Sequence, residues 1–170
     1  MPDMLVNLLN LPDSAPIVTS LKGKGIQIVR PLPPDKHRVL NWVRENSYAS
    51  AASECDVCFS HTPPSCYIAL CGSDILGYAC YNATAPDFFG PTMVLSAYQG
   101  QGIGKALLLK SLEALREQGY VYAIIGGVGP AEYYQKCVGA VMIADSTPGV
   151  YRFFIGGMKK QSTKEEASIL

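Results

Sequence analysis

This chain of 170 residues has no charge excess: 14 Lys and Arg stand against 14 Asp and Glu. Without a basic surplus, nothing in the composition draws in nucleic acid or an anionic membrane surface. No apolar run approaches the roughly 20 residues that span a bilayer. The opening stretch, MPDMLVNLLNLPD, lacks a basic region before its short apolar run and carries Asp3 early, so it does not read as a secretory signal. Internal repeats are missing too. What is present fits one domain with a proper core, since 48% of the residues are apolar.

The six cysteines call for a choice between metal, disulfide and thiol. Cys55 and Cys58 form a C-x-x-C, but Cys66 and Cys71 do not make the tight second pair that zinc sites usually have. Cys66, Cys71 and Cys80 fall in apolar, strand-like runs, where a free thiol behaves as a small hydrophobe. Buried, reduced thiols and no metal are the expectation, and they fit a cytoplasmic protein. A redox role for Cys55 and Cys58 stays open.

Along the chain, residues 1–22 read as an N-terminal extension ending in LKGKG, suited to covering an edge strand or a partner subunit. GIQIVR (25–30) alternates as a strand. Within 35–48, Val39, Leu40, Trp42 and Val43 recur at helical spacing, with Asp35 as N-cap after Pro33-Pro34. Residues 50–64 are irregular or weakly helical. CYIALC (66–71) and ILGYACYNAT (75–84) flank Gly72-Ser73-Asp74 and predict an antiparallel hairpin. FFGPTMVLSAY (88–98) is a further strand, made irregular by Gly90-Pro91. The clearest helix is 103–118, where Ile103, Leu107, Leu108, Leu112 and Leu115 form one stripe and Gly119 stops the run. YVYAIIGG (120–127) reads as a buried strand, and Pro130 opens a short helix to about Cys137. AVMIAD and GVYRFFI read as two strands around Ser146-Thr147-Pro148, before a charged tail (159–170) expected to be mobile. This order predicts an α+β (mixed α/β) fold.

Residues 99–108, QGQGIGKALL, carry the chemistry. A strand runs into a glycine-rich turn and the turn into a strong helix. The start of a helix offers unpartnered amides and a positive dipole end, and glycine lets a ligand's oxygens reach them, which favours a phosphate or pyrophosphate. The bland alternative is a tight strand-to-helix turn. A P-loop is excluded, because Gly100 to Gly104 is one residue too short and Ala106 stands where a magnesium-binding hydroxyl is needed. A dinucleotide fingerprint fails as well, because it needs glycine at Lys105 or Leu107.

The pattern Gln99-x-x-Gly102-x-Gly104 resembles the [Q/R]-x-x-G-x-[G/A] motif of the GNAT superfamily of N-acetyltransferases. Val94-Leu95-Ser96-Ala97-Tyr98 resembles the family's V-x-P-x-x run, with Ser96 in place of proline, and EYYQKCVGA (132–140) resembles its FYEK-x-GF segment. The resemblance covers about residues 25–156. It implies an acetyltransferase domain over 23–158, with a mixed, mostly antiparallel sheet of about seven strands flanked by helices and splayed between its two central strands. It also implies acetyl-CoA as cofactor. The pyrophosphate would lie on the amides of Gln99, Gly100, Gln101, Gly102, Ile103 and Gly104. Val94 and Leu95 would pair with the pantetheine arm, and Lys105 would reach a phosphate or stand as an exposed helix lysine.

The implied reaction moves an acetyl group to a primary amine of a small molecule or peptide by direct attack on the thioester. A backbone N–H near Leu95 would hold the oxyanion, Tyr134 would protonate the leaving thiolate, and Tyr133 would pack. The alternative within the same fold is a non-catalytic acyl-CoA-binding sensor or partner module. Gly127 and Pro130 stand where the family often has Asn and Ala, so a side-chain contact to the cofactor is missing. Cys137-Val138-Gly139 holds one residue more than the family's K-x-G, so the helix end should bulge or stop early. No acid lies between Phe88 and Tyr98, and Asp87, Glu54, Asp56 and His61 each read as solvated surface groups rather than as the base. The acceptor site would come from residues 35–64 and 144–150, where Trp42, Tyr48, Phe59 and His61 either line a pocket or serve as core and loop, with Trp42 read as core. Family members are often homodimers, but nothing in the residues sets the stoichiometry.

Overall fold

In a computed structural model, residues 1–157 are described, so the expected 159–170 tail lies outside the described residues. One sheet of seven strands carries the chain: β1 (Met4–Asn7), β2 (Ile26–Val29), β3 (Cys66–Cys71), β4 (Asp74–Tyr81), β5 (Phe88–Val94), β6 (Tyr122–Ile125) and β7 (Val141–Met142). Their order is β2-β3-β4-β5-β6-β1-β7, and only β5 and β6 run parallel. The helices are α1 (Ala15–Gly23), α2 (Lys36–Asn46), α3 (Ala51–Cys58), α4 (Ile103–Glu117) and α5 (Ala131–Val138).

Period-two alternation splits the strand residues between two cores. Tyr67, Ala69, Ala79 and Tyr81 join α4 (Leu107, Leu108, Leu112, Leu115) and Leu21 of α1. Cys66, Ile68, Tyr78 and Cys80 join α2 and α3 through Val39, Val43, Ala51, Cys55 and Cys58. The four cysteines of this second core are fully buried free thiols, whereas Cys71 is exposed. The weakly helical stretch expected at 50–64 holds a regular helix over Ala51–Cys58, fixed by that burial. β4 lies so close to β5 at Gly77 that a Cβ there would stand 2.8 Å from the Met93 carbonyl oxygen.

Two expectations are corrected. Residues 1–22 do not stand outside the domain, because β1 pairs antiparallel with both β6 and β7 inside the sheet. α1 is tied down as well, since Glu113 of α4 accepts from Ser14 N–H (3.1 Å) and Ser14 Oγ (2.9 Å). The second correction follows from the first. With β1 beside β6, the C-terminal segments have little sheet left to join. Only Val141–Met142 pairs, and Gly149–Phe153 forms 3-10 turns instead of a strand. Asp3 pins this segment: its N–H donates to Ser146 Oγ (2.8 Å) and its Oδ1 accepts from Gly127 N–H (2.8 Å). A Cβ at Gly149 would sit 2.8 Å from its Oδ2. At the other end of the domain, the extra residue before Gly139 causes no bulge. α5 runs through Val138 and ends at Gly139 in the left-handed conformation (φ 66).

Candidate active site

β5 and β6 pair only at Phe88–Ile124 and Phe89–Ile125. Pro91 has no N–H to offer a neighbour, and opposite it the β4–β5 register shifts between Ala79 and Tyr81. Past Phe89 the two strands part, and β5 continues on β4 alone to Val94. This is the expected splay between central strands.

Pleat parity decides which backbone groups face the gap. Leu95 N–H donates to Leu76 O at 2.9 Å. Hydrogen-bonded and non-bonded pairs alternate along an antiparallel ladder, so with Tyr78 opposite Met93 the amides of Met93 and Leu95 are spent on β4. Those of Thr92 and Val94 point into the opening. The Leu95 N–H, expected as oxyanion donor, is therefore spent on β4, and the amides that face the gap are those of Thr92 and Val94. The Val94 carbonyl, facing the gap, accepts from Gln99 Nε2 at 3.1 Å.

After Val94 the strand gives way to a 3-10 turn over Ser96–Tyr98. Gly100 (φ 77) and Gly102 (φ 93) supply the left-handed conformations that aim the turn into α4. Gly102 is the N-cap, no side chain caps the helix, and the first-turn amides are left for a ligand. Space at Gly104 is tight: a Cβ there would stand 3.2 Å from Tyr133 Oη and 3.8 Å from Val94 Cγ2. Val94, Gln99, Gly100, Gly102, Ile103, Gly104 and Lys105 line one cleft of about 650 Å³, which Leu95 and Gln101 do not reach.

A second cavity of about 640 Å³ adjoins it, and Phe89, Thr92, Pro130 and Tyr134 line both. Tyr134 is held by α5, which buries it together with Val138 one turn on. Its ring meets Phe89 (6.4 Å, 69°) and Tyr133 (5.1 Å, 77°) edge-on. Burial, with Cys137 nearby, holds its phenol above the ordinary tyrosine value, so it keeps its proton at neutral pH. Tyr133 was expected only to pack, but it lines the cofactor cleft and brings its hydroxyl to the first turn of α4. Nothing local in the sequence marks this contact, since Gly104 and Tyr133 meet only in the fold.

The acids separate clearly. Asp56 is exposed and pairs with Lys36 at 2.6 Å. Asp87 sits in a positive-φ turn (φ 59), its carboxyl raised by burial, and lines neither cavity. His61 Nδ1 bonds Ser65 Oγ at 2.8 Å. Glu54 alone lines the second cavity, where it accepts from Thr84 and Tyr151, so a surface reading does not describe it. Of the aromatic residues expected near an acceptor, Tyr48 lines this cavity, while Trp42 packs edge-on against Tyr78 (6.0 Å, 78°) and Phe59 packs on the second core.

Residues 36–140 match the model of the acetyltransferase (GNAT) family. The chain belongs to that family. GNAT acetyltransferases use acetyl-CoA, which the uncapped α4 start, the gap-facing amides and the cleft fit. Similar solved structures agree on the fold. A GCN5-related glucosamine N-acetyltransferase region of a fungal multi-domain GH3 β-N-acetylglucosaminidase superposes with TM-score 0.67 at 11% identity, over 84% of this chain and 19% of that one. A GCN5-related N-acetyltransferase from Sphaerobacter thermophilus gives 0.58 at 16%, over 84% and 48%. A GNAT acetyltransferase from Brucella melitensis, solved with acetyl-CoA, gives 0.52 at 20%, over 71% and 88%. The chain thus spans about a fifth and about half of the first two relatives' lengths. The sequence matches no curated protein. Among the described residues, no helix is long and apolar enough to cross a membrane.

Proposed function

We propose that this GNAT chain transfers the acetyl group of acetyl-CoA to a primary amine. The observation that carries the reading is that Thr92 and Tyr134 belong to both cavities, so a cofactor cleft and an acceptor cavity meet where a backbone donor and a phenol already stand. When bound, acetyl-CoA supplies an electrophilic thioester.

The chain's own residues do the rest. The amides at the start of α4, from Gly100 to Lys105, hold the pyrophosphate. The Val94 N–H and C=O take the pantetheine arm, with the Gln99 side chain giving up the carbonyl. Thr92 N–H donates to the acyl oxygen as negative charge gathers there. Tyr134 gives its phenolic proton to the departing sulfur, which becomes a thiol, and regains one from the amine through solvent. An alkylammonium and acetyl-CoA thus yield the amide, coenzyme A and one released proton.

Tyr134→Phe is the test. Loss of a positioned acid lowers kcat by roughly 10²- to 10⁴-fold, with coenzyme A binding kept. Full turnover in Tyr134→Phe would remove the assignment. The rival reading, acyl-CoA binding without turnover, is favoured by the lack of any carboxylate on β5. It would win if coenzyme A binds but no amine releases it from acetyl-CoA.

A further inference from the structure

We infer that the second cavity selects a primary monoamine with an aromatic body and that Glu54 is the residue that recognises its ammonium; this rests on the transferase reading above. Glu54 stands on α3, whose Ala51, Ala52, Cys55 and Cys58 are buried in the second core, so its backbone is fixed. Its Oε1 accepts from Thr84 Oγ1 at 2.6 Å and from Tyr151 Oη at 3.1 Å. Both bonds fall on Oε1, and Oε2 takes neither. Segments far apart in sequence therefore hold one carboxylate in a set orientation, and Oε2 keeps lone pairs that can accept from a ligand. Tyr48 lies beside it and within hydrogen-bonding reach of the carboxylate, its phenol raised by burial and then by the Glu54 charge.

Glu54 is the only charged side chain lining this cavity among the described residues. That count sets the acceptor's charge. One ammonium finds one carboxylate. A second ammonium would lose water with nothing to pair with, and an acceptor carboxylate would meet no Lys, Arg or His. Polyamines and amino acids are disfavoured on the same ground.

The walls set the acceptor's body. Tyr48, Phe89, Tyr134, Tyr151 and Phe154 bring their rings to the cavity, and Tyr151 and Phe154 meet edge-on at 6.1 Å and 67°. Such walls reward a flat apolar group, and an ammonium entering among ring faces gains cation–π attraction on its way to the carboxylate. The other lining side chains carry no charge; Met1, Ile125 and Val128 are apolar, and Ser50 and Thr147 are small and polar. About 640 Å³ holds a phenylalkyl amine with room to place its nitrogen toward Thr92 and Tyr134.

The experiment follows coenzyme A release from acetyl-CoA with 2-phenylethylamine, phenylalanine and spermidine. The first should exceed the other two in kcat/KM by at least about tenfold, the scale of one lost pairing at a partly buried charge. Glu54→Gln should raise KM for phenylethylamine by roughly tenfold to a hundredfold, with a smaller change in kcat, unchanged coenzyme A affinity and an unchanged melting temperature. Glu54→Asp should recover part of the KM, and Tyr151→Phe, which removes one bond to the carboxylate, should raise it less than Glu54→Gln does. Turnover of phenylalanine or spermidine at the phenylethylamine rate, or an unchanged KM in Glu54→Gln, would overturn the inference and leave the transferase standing. Intact coenzyme A binding with no release by any amine would overturn both.

Discussion

Gly104 separates cofactor binding from folding, because its backbone is helical and needs no glycine. Replacing glycine by alanine inside a helix gains about 1 kcal/mol from propensity alone. Against that gain stands one contact, since the new Cβ would lie 3.2 Å from Tyr133 Oη, a few tenths of an ångström too close. Tyr133 is only half buried and can give by that amount, so Gly104→Ala should leave the melting temperature nearly unchanged. Its KM for acetyl-CoA should rise only a few-fold. Gly104→Val adds two methyl groups over the amides that face the cleft. Losing one or two charge-assisted bonds to a phosphate, at roughly 1.5–3 kcal/mol each, raises KM by tenfold or more while the fold persists. Steady-state kinetics on acetyl-CoA, read beside thermal melts of the same samples, make the comparison. Removing the opposing hydroxyl in Tyr133→Phe should relieve the alanine variant and do little for the valine variant. If Gly104→Val folds and keeps its KM, the α4 start does not hold a phosphate, and the glycine-rich stretch is a tight turn and nothing more.

Other outcomes follow from the same geometry. Gly102→Ala places a side chain at φ 93 and a Cβ 2.8 Å from Ile17 Cδ1; the left-handed conformation alone costs about 1–2 kcal/mol, so the melting temperature should drop by about 2–8 °C, with partial recovery in Ile17→Ala. Glu113→Ala removes the acceptor of both Ser14 bonds, and amide exchange should quicken across residues 15–23 before the rest of the chain responds; unchanged exchange would mean that α1 is held by its apolar side alone. Burial raises the phenols of Tyr78 and Tyr134 in the folded state. Their contribution is complete below the unfolded value of about 10 and falls as pH rises toward the higher folded values, so denaturant midpoints should be level near pH 8 and decline above about pH 10. A midpoint that stays level to pH 11 would contradict it.

What the sequence made legible depended on how local the cause was. The stripe Ile103–Leu107–Leu108–Leu112–Leu115 predicts α4 because every residue in it answers to one period, and the helix runs from Ile103 to Glu117. The Gly72 turn predicts the β3–β4 hairpin because both strands lie beside it. β1 was hidden for the opposite reason. Met4–Asn7 is too short for a period to register, and its partners lie more than a hundred residues away in β6 and β7. Once that pairing is made, the strand expected at 149–155 loses its place, so one unseen long-range contact accounts for two errors. The second cavity was illegible for the same cause, since Glu54, Thr84 and Tyr151 carry no common motif and meet only in the fold.

The oxyanion donor shows a subtler limit. Family spacing points to the neighbourhood of Val94 and Leu95, but a strand's amides alternate direction with every residue, so an assignment one residue off faces the wrong strand. Leu95 N–H on Leu76 O sets the parity for all of β5. Leu95 and Met93 then belong to the ladder, and Thr92 and Val94 to the opening. Thr92 reaches both cavities, whereas Val94 reaches the cofactor cleft alone. In the proposed reaction the donor to the reacting carbonyl stands where acyl donor and amine meet, and parity together with that position is the reason for proposing Thr92.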